Sequence, residues 1–307
     1  MKTRIIQNEP GDEAAQATSH SGKSLPAAVA EVARFTPTAS YQRFAYVCGA
    51  LLALSGLFHL VVYLVDGGPW GGPLSWRKPI VFGLSFGITL VTIAWLMPFL
   101  RARRLTGWIV VGLFAVASLA EVFLISMQTW RGVASHFNET TQFDSSVFSF
   151  MGMLVMLLAV LTVYVTVRSF VRMDVRPSLA LAIRLGLLLM LVSQAVGAQM
   201  IAEGGNTFGA AGALKVPHAV TLHAVQVLPA LAILLLVARS TERRRVKIVA
   251  VGAVGYAVLI ASTLVQTYDG RGPLDLSPLT SVLALIGIAI LAGVGVVTLN
   301  GIRPGVR

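Results

Sequence analysis

Eight apolar runs of about twenty residues divide this chain, at residues 44–65, 79–98, 106–127, 146–167, 178–202, 216–238, 248–268 and 279–299. A helix of ~20 residues spans the ~30 Å hydrocarbon core of a bilayer. Within hydrocarbon every amide and carbonyl needs a partner inside the protein, and a helix supplies one locally. The expected fold is therefore an all-α integral membrane protein with eight transmembrane helices over residues 41–300. The first 40 residues are rich in Ala, Ser, Thr, Gly, Pro and charge and lack an apolar period, so a mobile tail is expected there, with a short second tail at 301–307.

Basic residues alternate between the connecting segments. The N-terminal tail, the loops after runs 2, 4 and 6, and the C-terminal tail hold 18 of the 24 Lys and Arg residues. The remaining loops hold Arg77, Lys78, Arg131, Lys215 and Arg271. The positive-inside rule then predicts both termini in the cytoplasm, in a cell membrane. A net charge of +11 is of the sign that nucleic acid attracts, but the excess lies beside the apolar runs, where it orients the protein and attracts anionic headgroups. With 56% hydrophobic and 12% charged residues, no nucleic-acid partner is expected; the lipid bilayer is. Cys48 is the only cysteine, which excludes an intrachain disulfide and a multi-cysteine zinc site.

An offset of 138 residues aligns Gln128-Thr129-Trp130-x-Gly132 with Gln266-Thr267-Tyr268-x-Gly270, Trp70-Gly71 with Phe208-Gly209, and Pro79 with Pro217. Four runs separate the copies, so the two halves would share one orientation as parallel four-helix units. The histidines break the pattern: His59 aligns with Gly197, and His218 with Ile80.

With this topology, His59, His136, His218 and His223 all fall toward the outer side. So does Glu121, the one carboxylate well inside a run. The inner halves are almost wholly apolar apart from Arg184, which is expected to snorkel to the interface. Helical spacing groups Cys48, Ser55, His59 and Asp66 on run 1, Ser118, Glu121 and Gln128 on run 3, and Ser262 or Thr263, Gln266 and Asp269 on run 7. Such stripes cannot face acyl chains and are expected to turn inward, around a polar pocket open to the outside. Glu121 and His223 are the candidate acid and base. His59, Gln128, Arg131, Ser135, His136, Asn138, His218 and Gln226 are candidate ligand-binding residues for a small solute or lipid-like substrate. Burial is expected to keep Glu121 neutral unless His59 or an arginine pairs with it. His218 and His223 lie about 140° apart on a helix and share no chelating face, so a transition metal or haem would need His59, His136 and His223 from separate segments.

The segment Gln128-x-x-Arg131-Gly132-x-x-Ser135-His136-Phe137-Asn138, with Asp144 and Phe148 after it, resembles an uncharacterised family of bacterial polytopic membrane proteins. So does His218-x4-His223-x2-Gln226-x-Leu228-Pro229. Family members often carry G-D-L-R-x-x-H-F before the sixth helix. Here Gly212-Ala213-Leu214-Lys215-Val216-Pro217-His218-Ala219 loses the acid and replaces Arg by Lys. The resemblance implies the membrane architecture and a bacterial plasma membrane, and supplies no reaction. Three classes stay open: an outward-facing binding or sensing protein or small-solute permease, a membrane enzyme acting on a lipid-like substrate at the outer leaflet, and a haem- or quinone-linked redox protein. The last has a layout similar to haem A synthase, without its paired axial histidines on equivalent helices. Asn138-Glu139-Thr140 also fits the glycosylation sequon.

Overall fold

Residues 37–238 and 240–302 are described by the structure, a computed structural model. The tails expected before residue 37 and after residue 302, and Arg239, lie outside the described residues. All eight apolar runs become helices of 23 to 30 residues, long and apolar enough to cross a membrane. They are α1 (Ser40–Asp66), α2 (Arg77–Leu96, prolonged by a 3-10 turn at Met97–Leu100), α3 (Arg104–Trp130), α4 (Gln142–Val171), α5 (Pro177–Ala202), the pair α6 (Lys215–Leu222) and α7 (Ala224–Val237), α8 (Glu242–Tyr268) and α9 (Pro278–Ile302). The chain is an eight-helix multi-pass membrane protein.

Several helices begin earlier than the apolar runs because polar residues cap them. Thr141 Oγ1 accepts the Asp144 amide at 3.1 Å and starts α4. Thr241 Oγ1 accepts the Arg244 amide at 3.4 Å, so the arginine-rich segment forms the first turns of α8. At N-caps Thr satisfies an amide that the helix cannot. The Gly-rich segment after α5 holds a feature that its composition hides, a two-rung antiparallel hairpin of β1 (Thr207–Phe208) and β2 (Gly212–Ala213).

Expected as one helix, the sixth span is broken at His223. There the turn tightens: the amides of Gln226 and Val227 both donate to His223 O at 3.0 Å. The Tyr256 hydroxyl donates to Val220 O at 2.6 Å, so a carbonyl beside the break is satisfied by a neighbouring helix. Non-helical backbone at membrane depth persists where protein supplies such partners.

Packing of α1 on α2 depends on glycine. A Cβ at Gly83 would stand 2.7 Å from Leu52 O and 2.8 Å from Gly56 N, and one at Gly87 would stand 2.7 Å from Gly49 O. The Gly83-x-x-x-Gly87 step thus lets the two backbones meet, the small-residue packing that substitutes for the hydrophobic effect between membrane helices.

The 138-residue repeat extends to backbone geometry. At the end of α3, Arg131 N donates to Met127 O, Gly132 N to Thr129 O and Val133 N to Gln128 O. At the end of α8 the same three bonds run from Asp269 to Val265, Gly270 to Thr267 and Arg271 to Gln266. Gly132 and Gly270 adopt φ of 71° and 69°, a left-handed conformation that glycine enters without a Cβ penalty. The halves meet where α4 packs on α5 and α2 on α7. The remaining loops gather at the other end, where Arg101 pairs with Asp174 at 2.9 Å and Ser178 N donates to Glu242 Oε1 at 2.7 Å.

Candidate functional site

At the end of the first half, the loop at residues 131–141 folds back over α2, α3 and α4. Its anchor is Asp144, which is 2% exposed. Asp144 Oδ1 accepts Arg131 Nη1 at 2.7 Å and Gln128 Nε2 at 2.9 Å, while Oδ2 accepts Thr141 Oγ1 at 2.7 Å. Arg131 also donates to Gln128 Oε1 and lies 4.7 Å over the Phe143 ring. Asn138 Nδ2 donates to Ala134 O at 2.9 Å, and its Oδ1 accepts Thr140 Oγ1 at 2.7 Å. Gln128, Arg131 and Asn138 therefore tie the loop together. Asn138 is only 6% exposed with its amide engaged, so the sequon does not present it for modification. Phe137 takes a positive φ of 56°, a conformation unusual for a bulky residue, and the surrounding bonds hold it there.

This knot delivers His136 into the bundle. Its ring lies 5.5 Å from Phe82 and 6.5 Å from Phe148, and Nδ1 is 3.0 Å from Ser135 Oγ. Nε2 stands 3.7 Å from Glu121 Oε1. Burial, aided by the Lys78 cation, pushes the His136 pKa down to about 3, so the ring is neutral at ordinary pH. Glu121 is 0% exposed, and neither carboxyl oxygen has a hydrogen-bond partner among the described residues. Ser118 Oγ, one turn away on the same helix, is likewise buried without one. A buried polar group without a partner is costly, and a carboxyl group more so.

His136 makes a pH prediction. In the folded protein its protonation is suppressed, whereas an unfolded chain takes up the proton near pH 6.5. Stability from this residue is complete above about pH 6.5 and is lost as pH falls toward about 3. Thermal unfolding of the detergent-solubilised protein should show a Tm declining through that range, and His136→Gln should flatten the decline. Parallel curves would contradict the assignment.

The other histidines are separately engaged. His59 Nδ1 donates to Ser55 O at 2.7 Å, while Nε2 accepts Trp130 Nε1 at 3.1 Å, beside the rings of Phe58 and Trp76. Glu121 thus meets neither His59 nor an arginine as its ion-pair neighbour, because the 131–141 loop brings in His136 instead. His218 Nδ1 donates to Ser193 O at 2.8 Å. A Cβ at Gly197 would come 3.3 Å from His218 Cε1. The broken alignment has a structural reason: each half carries an imidazole on its first two spans, toward the Gly-rich loop that joins them. In the first half it hangs from α1, and in the second a glycine on α5 makes room for one hung from α6. His223 bonds Ser85 Oγ through Nε2 at 3.0 Å and Gln226 Oε1 through Nδ1 at 3.3 Å, and Gln226 Nε2 donates to Thr89 Oγ1 at 3.3 Å.

Of the proposed acid–base pair, then, Glu121 lies against His136, and His223 belongs to a chain of bonds joining α2 and α7. Among the described residues no three His, Cys, Asp or Glu side chains assemble into a metal site, and His59, His136 and His223 have separate partners. Arg184 reaches the last turn of α4, where Nε donates to Ser169 O at 2.9 Å and the guanidinium stacks over Phe170 at 5.4 Å. The inward stripes hold for Cys48, His59, Ser118, Glu121, Gln128, Ser262 and Gln266, all buried, whereas Asp66, the last residue of α1, and Asp269, just past α8, are exposed. Sequence reasoning passed over Lys78, Ser85 and Thr141. Only Thr141 carried a signal, the Thr-x-x-Asp spacing of an N-terminal cap.

No model of a known family, no characterised protein and no solved structure matches this chain.

Proposed function

We propose that this is a ligand-binding protein of a bacterial plasma membrane, with both termini cytoplasmic and the 131–141 loop on the outer side. Its ligand is a small molecule or ion that brings hydrogen-bond donors or positive charge to Glu121. A single observation carries the reading: a carboxyl group at 0% exposure with both oxygens lacking protein partners. An ionisable group inside a membrane bundle marks a functional site by default, because its cost is otherwise unopposed. Neutral His136 at 3.7 Å and the Ser118 hydroxyl supply further hydrogen-bonding capacity around the same spot. The alternation of basic loops supports the outward placement, and the motif resemblance supports the bacterial membrane setting.

The test is thermal unfolding of nanodisc-reconstituted protein with ammonium, methylammonium and guanidinium chloride, each matched for ionic strength with sodium chloride. At least one cation should raise Tm in the wild type in a saturable manner, and Glu121→Gln, nearly isosteric, should lose the rise. A ligand at 100 times its Kd adds about 2.7 kcal/mol. Equal responses from both proteins, or none from either, would reject the reading.

A further inference from the structure

An open groove of about 580 Å³ lies along α1 and α2, and its lining includes neither Glu121 nor His136. That lies within the ~300–1,000 Å³ of small-molecule sites. It runs beside α2 from Val81 to Val91, about 15 Å at helical rise. Small residues form its bed: Gly49, Ala50 and Ala53 of α1, with Gly87 of α2. The lining is apolar except at Tyr46, Ser85 and His223. Val81, Leu84 and Ile88 along its rim are themselves exposed, as lipid-facing residues are.

We propose that this groove binds a chain lipid whose head bears a hydroxyl group, entering sideways from the bilayer. The apolar channel, long and narrow, suits a single acyl or prenyl chain. The head is argued from hydrogen-bond direction at the floor. Gln226 Nε2 donates to Thr89 Oγ1, so its Oε1 faces His223 and takes the Nδ1 proton. Nε2 of that ring is then an acceptor and receives the Ser85 hydroxyl proton at 3.0 Å. Ser85 Oγ is left with lone pairs to offer the groove, which selects a ligand that donates. The break of the sixth span at His223 is what turns this imidazole toward α2, and interrupted membrane helices recur at binding sites. At the opposite end Tyr46 also lines the groove, and its hydroxyl is buried without a partner among the described residues. Prenols and quinols share this chemistry. The proposal is independent of the Glu121 reading, since it uses different residues.

The experiment is photolabelling of the full chain in nanodiscs with a diazirine-bearing long-chain alcohol, with labelled peptides mapped by mass spectrometry. Labelling should concentrate on α1 and α2 along the groove, and the corresponding methyl ether, which cannot donate, should label at background. Ser85→Ala should weaken labelling up to about tenfold, the worth of one neutral hydrogen bond. Ala50→Leu, at an exposed position lining the groove, should abolish it by filling the bed. Displacement by a short-chain quinol or by farnesol supports the proposal and tells which head is preferred. Displacement by neither, equal labelling by the ether, or unchanged labelling of Ala50→Leu would overturn it.

Discussion

Gly83→Leu should yield a chain that inserts into the membrane yet does not fold to the native bundle. The added carbon falls 2.7 Å from Leu52 O and 2.8 Å from Gly56 N, atoms of backbone that cannot rotate aside. Overpacking a close-packed site typically costs about 1–3 kcal/mol, and a leucine pressed against helix backbone belongs at or above the top of that range. The damage would spread, because α2 carries Lys78 and Phe82 beside His136 as well as Ser85, the partner of His223. Size-exclusion profiles in mild detergent should show aggregated or polydisperse protein, with Gly83→Ala intermediate. A monodisperse Gly83→Leu protein with wild-type Tm would mean that α1 and α2 do not meet as described.

Asp144→Ala carries the second large effect. It deprives Arg131, Gln128 and Thr141 of a common acceptor at one stroke, so the loop that holds His136 against Glu121 loses its anchor. Ligand binding at Glu121 should weaken by on the order of tenfold to a hundredfold, the range for groups that hold a first layer of ligands in place. Arg131→Ala is the informative contrast. Its side chain is 39% exposed, and Asp144 keeps its bonds from Gln128 and Thr141, so the loop should persist. Cation-dependent Tm shifts of the three proteins separate these outcomes. Equal loss in both variants would make the ion pair, rather than the carboxylate, the anchor.

The residues announced some of this architecture and concealed the rest, for identifiable reasons. Apolar length alone identified eight helices, since a bilayer leaves the backbone little choice. The buried stripe of Ser118, Glu121 and Gln128 followed from 3.6-residue periodicity, a local property. Partnership did not follow. Whether Glu121 meets His59 or His136 depends on how the 131–141 loop closes, and that closure is set by Asp144 bonding residues up to sixteen positions earlier. The same segment read as a cluster of ligand-binding groups because it is dense in hydrogen-bonding side chains. In the fold much of that density is used within the loop itself. Equally hidden was the break at His223: no proline or glycine sits there, and one neighbouring carbonyl is satisfied by Tyr256, 36 residues downstream of Val220. The 138-residue repeat was visible as matched letters, while the exchange of His59 for His218 needed the space at Gly197 to explain it.

The most direct test of the central claim is an electron cryomicroscopy map of the nanodisc-reconstituted protein resolving the side chains around Glu121. The account predicts a non-protein feature within about 3 Å of a Glu121 carboxyl oxygen, bounded by His136 and Ser118. A Glu121 whose two oxygens are both hydrogen-bonded to protein side chains, with no such feature beside them, would contradict it.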